Sequence, residues 1–232
     1  MRDTAEVLSK LDLTMTRSKL LAIVANVKGA EDASAFPEIT YLGFPLSISE
    51  TFQKRNTNKS IAEALNTVEE IQNICIRSNK KQVVYISMGF GNPYNDPYDV
   101  SLVLQFVGIL QTLGIEIVSL ADTIGVSTPE NLTYLFENLS KQFPNTEIGA
   151  HLHSHPATAV QKVEAAYRAG CRRFDGAIKG FGGCPMAKDE LVGNIPTEQL
   201  INFLLSNESS LNIDLNAFSE SVALADRVFQ QH

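Results

Sequence analysis

Short apolar runs alternate along this chain with amphipathic helical patterns, and that alternation restricts the fold more than any other property of the sequence. Strand-like runs occupy 20–26, 38–46, 83–90, 115–122, 147–153 and 173–178. Helical patterns fill 60–78, 99–113, 129–143 and 157–169, with a shorter piece near 30–35. Punctuation agrees: Ser127-Thr128-Pro129-Glu130 sets a cap residue, a proline and an acid at a helix start, and Gly114 and Gly170 follow helix ends. Repeated strand–helix units with near-continuous apolar strands imply a parallel sheet covered by helices. Six strands can be counted, whereas a closed barrel of this kind takes about eight. Residues 1–12 read as a helix with no strand before it, so the sheet is open or the sequence begins two strands late. The fold expected is an α/β TIM-type (β/α)8 barrel, N-terminally truncated to about six βα units. It forms one domain over 1–232, with helices from about 197 closing the chain.

Bulk properties narrow the class. A chain of 232 residues with 44% hydrophobic content and a mean hydropathy of −0.03 suits a soluble globular domain. No apolar run approaches the roughly 18–20 residues of a spanning helix, so no membrane role is expected. The start, Met1-Arg-Asp-Thr-Ala-Glu6, has no apolar signal core. A net charge of −7 without a basic stripe argues against nucleic acid as a partner. Cys75, Cys171 and Cys184 are odd in number and widely spaced, which favours a reducing, cytoplasmic setting over a disulfide framework.

Polar residues gather where the strands end, which is the functional face of a parallel barrel. The run Gly149-Ala-His-Leu-His-Ser-His155 puts His151 and His153 on one face of a strand, because the strand period is two. Gly180-Phe-Gly-Gly-Cys-Pro185 and Gly193-Asn194 follow, bringing a thiol and an amide from the next loop. Two imidazoles with an amide oxygen read as a metal site, with Cys184 as a titratable neighbour on a loop rather than in a core. Asp122, at another strand exit, either joins that site or caps the helix near Pro129. Lys54 and Arg55 are either a solvated surface pair or a site for an anionic ligand. Cys75 and Cys171 read as structural.

These residues resemble the 3-hydroxy-3-methylglutaryl-CoA lyase family, within the metal-dependent barrel lyases and Claisen-type synthases. The resemblance is carried by Asp122-Thr-Ile-Gly-Val126, Gly149-Ala-His-Leu-His153, Gly180-Phe-Gly-Gly-Cys-Pro185, Gly193-Asn-Ile-Pro-Thr-Glu198 and Phe52-Gln-Lys-Arg-Asn56, and it runs from about Thr4 to past Glu198. The cysteine loop is its most specific part, separating lyases from the synthases. The resemblance implies metal ligation of Mg²⁺ or Mn²⁺ by His151, His153 and Asn194, a catalytic thiol at Cys184 and an active-site carboxylate at Asp122. It further implies substrate contacts at Lys54, Arg55 and Asn56, an acyl-CoA thioester substrate, and cleavage of 3-hydroxy-3-methylglutaryl-CoA to acetyl-CoA and acetoacetate, as in leucine degradation. Two departures stand out. No strand ends in the family's Arg-Asp pair, since Arg2-Asp3 lies in a helical pattern, and Ser154 replaces the acid that follows the histidines. Weak metal binding and poor activity are therefore expected, with a Claisen-type synthase or a non-catalytic remnant as the other readings. Exposed sheet edges would favour pairing with another chain, such as a homodimer.

Overall fold

The computed structural model describes residues 3–183, 192–207 and 211–229. Six strands form one sheet in sequence order: β1 (Leu20–Ile23), β2 (Ile39–Ser47), β3 (Lys81–Ser87), β4 (Ile117–Asp122), β5 (Glu147–Leu152) and β6 (Arg173–Asp175). Every neighbouring pair is parallel. The helices are α1 (Thr4–Ser9), α2 (Val27–Ser34), α3 (Glu50–Thr57), α4 (Ile61–Arg77), α5 (Val100–Thr112), α6 (Pro129–Gln142), α7 (Ala159–Arg168), α8 (Thr197–Asn207) and α9 (Leu215–Phe229). The result is a half-barrel, with β1 and β6 at its two edges. No helix among the described residues is long and apolar enough to cross a membrane.

Local chemistry sets the boundaries. Ser60 and Glu63 close a reciprocal cap on α4, and Thr128 and Asn131 do the same for α6, with Pro129 at its first position. β1 stops at Ile23, short of the expected Asn26, because the Asn26 side chain caps α2 by accepting from Gly29 N at 2.8 Å. β3 stops at Ser87 because Met88 takes a left-handed φ of 59°. β6 keeps only three residues and gives way to a 3₁₀ turn at Ile178–Gly180, where Lys179 and Gly180 both have positive φ.

Alternation along the strands divides the molecule into two faces. Leu42, Phe44, Leu46, Val84, Ile86, Val118 and Leu120 point outward and are wholly buried in the core cluster they share with helix residues such as Ile71, Leu110 and Leu135. Residues one position out of phase line the concave face: Tyr41 and Pro45 on β2, Tyr85 and Ser87 on β3, Ala121 on β4, His151 on β5, and Arg173 and Asp175 on β6. This face encloses a cavity of about 800 Å³.

Candidate functional site

The cavity opens among the strand exits, and the chain's return after the glycine-rich loop completes it. His153 bridges to Asn194, and Ala177 to Pro196. Four backbone bonds fix that return: Ser154 N to Gly193 O at 2.9 Å, Asn194 N to Gly180 O at 3.1 Å, Ala177 N to Ile195 O at 3.0 Å and Thr197 N to Ala177 O at 2.9 Å. Gly180 is required here, since it combines a φ of +68° with a position where a Cβ would stand 2.8 Å from Asn194 O. The result places Asn194 on the cavity wall beside His151 and His153, so the three expected metal ligands come together.

Electrostatics suit these residues to hold a cation. His153 is buried, and this burial, aided by the neighbouring His151 ring, pushes its imidazole down to about 4. It is therefore neutral at pH 7, the form a metal ligand must take. The His151 and His153 ring centroids lie 5.3 Å apart. His151 Nδ1 lies 3.2 Å from Asp175 Oδ2, and Tyr85 meets the same imidazole edge-on at 5.5 Å. Asn194 donates its Nδ2 to Phe181 O at 2.9 Å, which leaves its Oδ1 as the acceptor. Among the described residues no three His, Cys, Asp or Glu are grouped to hold an ion by themselves. The donor set that fits one is two imidazoles and an amide oxygen, a mixture suited to a divalent ion with positions left for substrate oxygens.

Asp122 is placed differently from the active-site role that the resemblance implies. Its side chain is wholly buried and does not line the cavity. It accepts from Val126 N at 2.8 Å, Ser127 N at 3.0 Å and Ser127 Oγ at 2.5 Å, and it pairs with Lys162 Nζ at 2.8 Å. These bonds organise the loop that leads into α6, close to the alternative reading of a helix-start cap. Lys162 Nζ also donates to Gly125 O at 2.9 Å and His153 O at 3.1 Å, tying the β4 and β5 exits together. Thr123, next along the chain, does face the cavity.

On α3, Phe52 and Asn56 line the cavity one helical turn apart. Asp96 fixes the start of this helix by accepting from Ser49 Oγ, Thr51 N and Thr51 Oγ1 at 2.5, 2.9 and 2.8 Å. Lys54 and Arg55 are exposed and do not line it: Lys54 pairs with Glu50 at 3.0 Å and Arg55 stacks over Tyr94 at 4.8 Å. Cys184 lies outside the described residues. Cys75 and Cys171 are buried and free, and burial pushes their thiols up to about 11 and 12.

Tyr85, Lys162, Arg173 and Asp175 belong to this region although no motif points to them. For the three strand residues the one signal is phase: Tyr85 stands two residues before Ser87, and Arg173 and Asp175 are two apart, so each pair shares a face once strand boundaries are known.

The HMGL-like family matches residues 3–224. A hydroxymethylglutaryl-CoA lyase of Bacillus subtilis is 32% identical over 194 residues, covering 84% of this chain and 64% of that protein. The cytoplasmic 3-hydroxy-3-methylglutaryl-CoA lyase of Rattus norvegicus is 31% identical over 201 residues, covering 86% and 57%. The chain thus spans less than two thirds of the length of these relatives. Among solved structures, the Bacillus subtilis HMG-CoA lyase superposes with a TM-score of 0.88 at 30% identity, covering 98% of this chain and 75% of that one. An Acinetobacter baumannii HMG-CoA lyase in complex with coenzyme A and 3-methylmalate gives 0.85 at 28%, covering 97% and 73%. With the half-barrel, the histidine pair and the returning asparagine all in place, the match over nearly the whole chain means that it belongs to the HMGL-like family.

Proposed function

We propose that the chain carries the site of a carbon–carbon lyase that cleaves 3-hydroxy-3-methylglutaryl-CoA to acetyl-CoA and acetoacetate with a divalent cation, Mg²⁺ or Mn²⁺. The observation that supports this reading most is the convergence of His151, His153 and Asn194 on one cavity. Those three residues would hold the ion, which when bound supplies Lewis acidity that makes a hydroxyl easier to deprotonate. Phe52 and Pro45 give the cavity an apolar wall for the acyl carbons, and Asn56 offers an amide to the acyl chain's polar groups.

In the cleavage the tertiary hydroxyl loses its proton to solvent and becomes the ketone of acetoacetate, and solvent later returns a proton to the Cys184 thiolate. The electron pair of the broken C–C bond passes into the acetyl thioester as an enolate. Cys184 Sγ–H then donates a proton to the enolate carbon. A thiol with an ordinary value near 8.5 is matched to that task, whereas a serine hydroxyl is far too weak an acid. No step is assigned to Asp122, whose carboxylate is bonded to the α6 loop and Lys162. Lys54 and Arg55, exposed beside the cavity-lining Asn56, offer positive charge to the phosphates of a CoA ester.

The test is acetyl-CoA release from 3-hydroxy-3-methylglutaryl-CoA. Chelation should abolish turnover, Mn²⁺ should restore it, and Cys184→Ser should lower kcat by at least about 10²-fold, within the usual worth of a positioned acid. Metal-independent turnover, or full activity in Cys184→Ser, would contradict the assignment.

A further inference from the structure

The register between β5 and β6 pairs Gly149 with Arg173 and His151 with Asp175. His151, Arg173 and Asp175 all face the cavity. An ionised carboxylate only accepts hydrogen bonds, so in a neutral imidazole the 3.2 Å contact from His151 Nδ1 to Asp175 Oδ2 requires the proton on Nδ1. Nε2 is then the atom with the free lone pair.

Asp175 is itself held in place. Tyr85 lies within electrostatic reach of both Asp175 and Arg173, and Arg173 Nη2 lies 3.9 Å from Asp175 Oδ1. Arg173 is anchored in turn by donating Nη1 to Ser119 Oγ at 2.5 Å and by an ion pair with Glu147 at 3.4 Å. Its guanidinium crosses Gly149, where a Cβ would come within 2.8 Å of Nη1, so the missing side chain on β5 makes room for the arginine on β6. The contact to His151 is shorter than the contact to Arg173, which marks the imidazole as the closer partner of this carboxylate.

We propose that Asp175 is a positioning residue that holds His151 as its Nδ1–H tautomer and presents Nε2 to a divalent cation, with Arg173 beside the carboxylate as its counter-ion. This deepens the reading of His151 as a metal ligand and rests on it for the cation, although the tautomer itself does not. Ser154 occupies the place of the family's acid, and its hydroxyl is taken up by His155 O and Thr158 Oγ1. The carboxylate that orients a ligand comes instead from the next strand. Groups of this kind, placed behind a metal-bound histidine, typically account for 10–100-fold in metal affinity.

The test uses the chain with ¹⁵N-labelled histidine rings, at about pH 8 where free imidazole is neutral, together with Mn²⁺ titration by calorimetry. Wild type should show His151 as Nδ1–H. Asp175→Leu should move the proton to Nε2 and weaken Mn²⁺ binding by about 10–100-fold. Asp175→Asn, nearly isosteric and still an acceptor, should keep Nδ1–H and lose less affinity, and it serves if the leucine variant fails to fold. A His151 proton on Nε2 in wild type, or one that stays on Nδ1 in Asp175→Leu, would overturn the proposal, as would unchanged Mn²⁺ affinity in both variants. A tautomer switch in a protein that binds no Mn²⁺ would sink the metal reading while leaving the positioning of His151 by Asp175 intact.

Discussion

Lys162→Met is expected to lower the free energy of unfolding by about 3–5 kcal/mol, the usual result of removing one partner from a buried ion pair. The Lys162 side chain is 7% exposed and that of Asp122 is fully buried, so the substitution leaves a carboxylate with no counter-ion in a site water does not reach. Two carbonyls, Gly125 O and His153 O, lose a donor at the same time. A second change to Asp122→Asn should recover most of the loss, because the amide oxygen still accepts from Val126 N or Ser127 N and no charge is stranded. Urea denaturation of the two single variants and the double variant forms the cycle. A Lys162→Met protein within 1 kcal/mol of wild type would show that the pair contributes little.

The second large effect is on turnover. His151→Ala and His153→Ala should each reduce acetyl-CoA release by at least about 10³-fold, equivalent to about 4 kcal/mol of transition-state stabilisation. Each removes one of the imidazoles that would hold the cation, and the charge a cation stabilises during bond cleavage is worth several kcal/mol. The loss should fall on kcat, since that stabilisation acts chiefly in the transition state. Circular dichroism and a Tm near the wild-type value separate this from unfolding. Retention of activity in either variant would remove that histidine from the ligand set.

What the sequence reveals follows from the length and polarity of each element. β2 to β5 stand out because six or more residues of apolar or alternating character carry a clear period. β6 has three residues, too few to show phase, so Arg173 and Asp175 pass for part of an apolar run that continues to Ile178. α3 is strongly polar, with only Phe52 and Gln53 buried, so it offers no apolar stripe and does not stand out among the helical patterns of the sequence. Lys162 reads as the solvent face of an amphipathic helix, since lysine is rarely buried, and only the three-dimensional meeting of α7 with the β4 exit reveals its partner. That same meeting explains why Asp122, whose motif is plain in the sequence, turns away from the cavity. The histidine pair and Asn194 come together as the motifs imply, because strand alternation and the glycine-rich return both act through the backbone.

Crystals grown with Mn²⁺ and measured at the manganese absorption edge test the central claim most directly. The arrangement of the cavity predicts an anomalous peak within roughly 2.0–2.6 Å of ring nitrogens of both His151 and His153 and of Asn194 Oδ1. Saturating Mn²⁺ that leaves this position without a peak, or that binds only elsewhere on the chain, would contradict it.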